Sequence, residues 1–226
     1  MNAIADKEAR LSWVLAGLAG LVGAAAFTNT AGFFVTFMTG NSERAALGFF
    51  RGQNAMAGAA IALIATFVAG VVVASICRRR LWSDHPHGAT VLTSVFLAIA
   101  SIVDVIESGI AASRVEFLPI LFVSFAMGAL NTSFSKNGEV VIPLSYVTGT
   151  LVKMGQGIEL HMAGGSASDW LGYALLYASF VGGAVLGGII SLAITGPQIL
   201  IVATAVCIVA TFYTYRQSDA ETPILG

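Results

Sequence analysis

The amino-acid sequence predicts an all-α polytopic membrane protein: six transmembrane helices plus two re-entrant or broken helical segments, arranged as an inverted 3+3 repeat. Three observations carry that expectation. Only 10% of the 226 residues are charged and 57% are hydrophobic, whereas a soluble domain carries about 25% charged residues. Several long stretches contain no charge at all. Finally, a short polar string, Thr-Gly in apolar surroundings, occurs twice in matching contexts.

Residues 11–28, 54–77 and 170–194 hold no Asp, Glu, Lys or Arg. A helix needs roughly 20 mostly apolar residues to cross a hydrocarbon core about 30 Å thick. Residues 90–112, 117–134 and 198–215 complete the six expected spans within a single integral membrane domain, 1–226. At the N-terminus, Lys7, Arg10, an apolar run and Ala24-Ala25-Ala26 imitate a cleaved signal peptide. That run exceeds an ordinary signal core and more membrane-type sequence follows it, so it reads as a first span.

Lysine and arginine favour cytoplasmic loops. With both termini cytoplasmic, Lys7, Arg10, Arg78, Arg79, Arg80, Lys136, Lys153 and Arg216 fall on the cytoplasmic side, and only Arg44, Arg51 and Arg114 on the other. This distribution requires residues 30–53 and 143–161 to enter the membrane without crossing it. If both crossed, the triple arginine and Lys136 would land outside, against the rule.

The repeat is legible in register. Thr36-Phe37-Met38-Thr39-Gly40-Asn41 recurs as Ser145-Tyr146-Val147-Thr148-Gly149-Thr150 at an offset of 148 − 39 = 109, and the same offset pairs Arg44 with Lys153 and Gly48 with Gly157. Downstream, the stretch from Phe67 to Ile76 aligns with that from Phe180 to Ile189 at 180 − 67 = 113. Repeat one covers about 11–112 and repeat two about 117–215. Three spans per repeat is an odd number, so the second repeat begins on the opposite face and the topology inverts.

Irregular backbone at membrane depth is tolerated where it is buried in protein or lines a wet cavity. Gly40 and Gly149 are expected break points, with Asn41, Ser42 and Thr150 as caps of short helices that follow. Two such helix N-termini meeting near the midplane, with Arg44 and Lys153 one turn on, describe a site for an anion or carboxylate-bearing solute. The expected site therefore comprises Thr39, Gly40, Asn41, Arg44, Thr148, Gly149, Thr150, Lys153 and the deep amide Asn131. A plainer reading stays open beside it, in which Thr and Gly serve helix packing and the two cations snorkel to headgroups. Asp104 and Glu107 share a helix face. Asp104 is the candidate ion-coupling carboxylate, and Glu107 reads as interfacial. The Gly183/Gly187 and Gly182/Gly188 pairs offer small faces for close helix approach.

Other chemistries find no footing. Net charge is −1, which gives no electrostatic case for nucleic acid. Cys77 and Cys207 sit in apolar runs, and His85, His87 and His161 form no ligand pattern, so neither a disulfide framework nor a metal is expected. No nucleotide loop or nucleophile motif is present, so no enzyme and no cofactor are expected.

The run Gly32-Phe33-Phe34-Val35-Thr36-Phe37-Met38-Thr39-Gly40-Asn41, with Tyr146-Val147-Thr148-Gly149-Thr150 and Ala126-Met127-Gly128-Ala129-Leu130-Asn131, resembles the blocks of the YoaK-like family of bacterial inner-membrane proteins. The resemblance covers nearly the whole chain. It implies a bacterial inner-membrane location and no established activity. Family members usually carry an acidic residue where Gly23 stands here, a position that pairs with Asn131 (131 − 23 = 108). The expectation that follows is a small secondary transporter or channel-like facilitator, and its alternative is a non-transporting membrane-embedded binding or regulatory partner. The lipid bilayer is the expected partner, and a homo-oligomer is left open.

Overall fold

The computed structural model describes residues 7–82, 87–136, 139–142 and 144–219; His85, Pro86 and Pro143 lie outside them. Among the described residues, eight α-helices follow one another: α1 (Lys7–Asn29), α2 (Met38–Phe50), α3 (Asn54–Cys77), α4 (His87–Ser108), α5 (Phe117–Leu130), α6 (Val147–Met162), α7 (Ser168–Ser191) and α8 (Gly196–Asp219). α3 continues through a short π-helical stretch, Arg78–Trp82. Among the described residues, a two-residue antiparallel ladder, β1 (Ser135–Lys136) with β2 (Glu139–Val140), is the one departure from all-helical structure.

Five helices, α1, α3, α4, α7 and α8, are long and apolar enough to cross a membrane. The sixth expected span is shorter: α5 has 14 residues, about 21 Å at ~1.5 Å per residue. It unwinds at Asn131 because a run of hydroxyl and amide side chains turns back on its own backbone, a local competitor to helix. Asn131 Nδ2 donates to Met127 O at 2.8 Å, Thr132 Oγ1 to Ala129 O at 2.8 Å and Ser133 Oγ to Leu130 O at 2.7 Å. The carbonyls released there are taken up by Arg78, whose guanidinium donates to Thr132, Ser133 and Ser135.

Cross-contacts give the helix directions. α3 and α5 run parallel, with Ser124 Oγ donating to Leu63 O at 2.8 Å and Arg78 meeting Thr132 further along both. α1 and α7 also run parallel, from the Gly17–Gly183 contact to the Asn29–Ser191 hydrogen bond at 2.9 Å. α4 runs antiparallel to α8, joined by Ser94–Thr211 and Ser101–Thr204 hydroxyl pairs, each 3.0 Å. At one end of the bundle Val115 N donates to Asn29 O at 2.8 Å and Thr195 Oγ1 to Ile110 O at 2.8 Å. The opposite end holds the Arg78 cluster and the start of α4.

The tightest packing lies between helices that are far apart in sequence. α1 packs on α7 and α3 on α5, while α1 and α3 do not touch. Glycines make this possible. A Cβ at Gly20 would overlap the Phe180 carbonyl, and one at Gly128 would overlap the Phe67 carbonyl. Likewise Gly183 abuts the Gly17 carbonyl and Gly70 the Phe125 carbonyl. These pairs are related by 128 − 20 = 108 and 180 − 67 = 113, and by 125 − 17 = 108 and 183 − 70 = 113. Small residues let backbones approach this closely where apolar burial cannot favour helix over lipid. Of the glycine pairs expected on α7, Gly183 and Gly187 meet α1, whereas Gly182 and Gly188 face open space. The outward faces of α3 and α7 are apolar, with Val68, Val72, Val185, Leu186 and Ile189 all exposed.

Candidate functional site

Between α1 and α2 the chain doubles back. Thr36 comes to lie beside Gly23, six residues before the end of α1, where a Cβ would sit 2.6 Å from Thr36 Oγ1. From there α2 runs out again along the irregular segment that preceded it. Asn41 Nδ2 donates to Phe34 O at 2.7 Å, and the Arg44 guanidinium donates to Gly32 O. Gly32 holds φ +75°, a left-handed conformation open to glycine, which turns its carbonyl toward Arg44. α6 is reached in a related way. Ser145 donates through both its N–H and its hydroxyl to Asn131 Oδ1, each at 3.0 Å, which ties the entry of α6 to the end of α5.

Both motif helices begin earlier than expected. α2 starts at Met38 after Phe37, and α6 at Val147 after Tyr146, with no side-chain cap on either. Gly40 and Gly149 are therefore helical residues of the first turn rather than break points. Their missing side chains make room for the aromatic ring three residues back: a Cβ at Gly40 would overlap the Phe37 ring, and one at Gly149 the Tyr146 ring. The expected caps bond backward instead, Ser42 Oγ to Met38 O at 3.0 Å and Thr150 Oγ1 to Tyr146 O at 3.2 Å. The N–H groups of the first turns consequently have no intrahelical acceptor.

The two first turns face one cavity of about 560 Å³, within the range of small-molecule sites. Thr36, Phe37, Met38 and Thr39 line it from one side, and Ser145, Tyr146, Val147 and Thr148 from the other. Asn131, Phe67, Val71, Val140 and Phe180 complete the wall. Phe67 and Phe180 stand near the middle of the 24-residue α3 and α7, so the cavity lies at mid-height of the bundle. Among the described residues, its polar groups are hydroxyls and one amide, and no charged side chain lines it.

Of the expected site residues, Thr39, Thr148 and Asn131 meet at this cavity. Gly149, Thr150 and Lys153 line a second chamber of about 250 Å³ with Tyr173 and Leu176. Lys153 Nζ lies 5.6 Å over the Tyr173 ring. Arg44 lies 4.5 Å over the Phe34 ring in addition to its carbonyl bond. Asn41 is fully buried and its Oδ1 has no partner among the described residues. Asp104 is away from both cavities. Its Oδ1 accepts the Glu116 N–H at 2.9 Å, just before α5, and its Oδ2 is buried without a partner among the described residues. Glu107 is exposed. Phe37, Tyr146, Phe67 and Phe180 were not expected as site residues, although all four stood in the aligned repeat blocks.

Residues 11–213 match the family described as "Protein of unknown function (DUF1275)". UPF0700 transmembrane protein RA0705 of Rhizobium meliloti (strain 1021) is 27% identical over 163 residues, which is 70% of this chain and 65% of that protein. The matched region thus spans less than two thirds of the relative's length. No solved structure matches the chain. The chain belongs to the DUF1275 family and is a multi-pass membrane protein.

Proposed function

Starting from that membership, we propose that the chain is a small secondary transporter or channel-like facilitator whose solute binds between the first turns of α2 and α6. One observation carries this reading: the threonines of the two Thr-Gly motifs, Thr39 and Thr148, 109 residues apart, line a single cavity at mid-height of the bundle. Two helix N-termini aim unpaired N–H groups and partial positive charge at that space. The hydroxyls of Thr36, Thr39, Ser145 and Thr148 and the Asn131 amide surround it. Such a lining suits a small solute rich in hydrogen-bond acceptors, anionic or carboxylate-bearing among them.

The architecture we propose is six spans in an inverted repeat, with residues 30–50 and 144–162 entering without crossing. The glycine contacts related by the same two offsets support the repeat, as do the Ser94–Thr211 and Ser101–Thr204 pairs, which a shift of 110 exchanges (204 − 94 = 110, 211 − 101 = 110). Sites at the junction of inverted repeats are the recurring transporter design. The lysine and arginine distribution supports both termini on the cytoplasmic side, and the YoaK-like resemblance implies a bacterial inner membrane.

A stabilisation screen tests the function. Purified protein is heated with a panel of inorganic anions, carboxylates, amino acids and nucleobases, since a ligand of the folded state raises its apparent stability by mass action. At least one compound is expected to raise Tm, and the rise is expected to vanish in Thr148→Val and Asn131→Ala. A flat panel overturns the proposal.

A further inference from the structure

We infer that the solute cavity is reached from the Lys153 side, through a vestibule that gathers anions and is separated from the cavity by Tyr146. This rests on the solute-cavity reading above and adds a route and a charge preference. Tyr146 and Val140 are the residues that line both the central cavity and the smaller chamber. The Tyr146 ring is held in place from behind, because it folds over Gly149, where no Cβ intervenes. Beyond it the chamber is walled by Thr150, Tyr173 and Lys153. Among the described residues that line it, Lys153 carries the one full charge, and its ammonium lies over a ring face. A cation over an aromatic face keeps its outward side free for an anion.

The corresponding way past α2 is built differently. Phe37 occupies the place of Tyr146, and behind it the rings pile up: Phe34 meets Phe37 edge-on at 5.2 Å and stacks on Phe27 at 5.0 Å. Arg44, the counterpart of Lys153, covers that stack and is fastened to the Gly32 carbonyl. Its guanidinium is therefore held against the protein by these contacts. Lys153 belongs to the end of the bundle where α1 and α7 begin, and Arg44 to the end where α1 finishes, so the two routes lead to opposite faces.

Thiol modification reads the route without knowledge of the solute. Cys77 and Cys207 are replaced by Ser and Ala, and Thr39→Cys or Thr148→Cys is introduced singly. Inside-out and right-side-out vesicles are then treated with the membrane-impermeant anionic reagent 2-sulfonatoethyl methanethiosulfonate or its cationic trimethylammonioethyl counterpart. Rates are normalised to a free thiol, and folding of each variant is checked by thermal unfolding. Both cysteines are expected to react from the Lys153 face, the anionic reagent faster by about tenfold, as charge-lined entrances achieve. Lys153→Gln is expected to remove most of that preference, Tyr146→Trp to slow both reagents, and Arg44→Gln to change neither. Reaction from the Arg44 face, no reaction from either face, or a preference that survives Lys153→Gln overturns the inference. A flat stabilisation screen together with one-sided labelling would instead sink the solute reading and leave the route standing.

Discussion

Around α2 the cation Arg44 is fastened to the Gly32 carbonyl and to the Phe34 ring, whereas around α6 Lys153 stands over Tyr173 at the edge of a chamber. The two helices otherwise start alike, each with an aromatic residue folded over a glycine three positions later. Each also meets the next helix through a glycine, Gly48 on Ala57 and Gly157 on Trp170. What the halves share is backbone packing, which is set by residues too small to vary. What they do not share is the polar and aromatic filling around the motif, and on the route inferred above that filling sets which way the cavity opens.

The largest expected effect comes from the shared part. Gly183→Ala and Gly70→Ala each drive a Cβ into a carbonyl oxygen of the facing helix, so the helices must separate. Overpacking of this kind costs ~1–3 kcal/mol, and backbone on the opposing side cannot rotate away. Both variants should lower Tm in detergent by similar amounts, while Gly182→Ala, which meets nothing within 4 Å, should not. A large difference between Gly183 and Gly70 would break the likeness of the two packings.

The unshared part gives a smaller and opposite test. Arg44→Gln loses a carbonyl bond and a ring contact, worth ~1 kcal/mol together, and should lower Tm. Lys153→Gln gives up only the ring contact at a more exposed position and should leave Tm nearly unchanged. Equal losses would mean that Lys153 is anchored like Arg44. The smallest effect is expected at the α4–α8 hydroxyl pairs. Ser94→Ala and Ser101→Ala each remove one interhelical bond, and such bonds average ~0.6 kcal/mol in membrane proteins. Unfolding titrations should return similar values for the two.

The sequence made the long helices plain, because a charge-free apolar run of the right length has few other readings. The run 54–77 coincides with α3, and 170–194 overlaps α7 with a shift of a few residues. It overstated α5, because the charge-free run continues past Phe134 while the side-chain bonds at Asn131, Thr132 and Ser133 end the helix earlier. The Thr-Gly motifs were visible as a repeated string, and their meeting at one cavity agrees with that register. The role of their glycines was not visible: a ring lying on a helical glycine and a glycine breaking a helix look the same in one dimension. Arg44 and Lys153 pair by offset, yet nothing in the string distinguishes a cation fastened to a carbonyl from one beside a chamber. That difference depends on Gly32, Phe34 and Tyr173, each brought there by the fold.

The cross-bracing of α1 with α7 and of α3 with α5 has a consequence for biogenesis. When the ribosome has delivered α1 to α4 into the bilayer, the faces carrying Gly17, Gly20 and Gly70 have only lipid beside them. Their partners, around Phe125 and Gly183, are still to be synthesised. α3 must therefore wait for α5 and α1 for α7, each facing lipid until then, and the seam of α4 with α8 closes last. A nascent chain cut after α4 would hold four inserted helices with most of its native seams unmade.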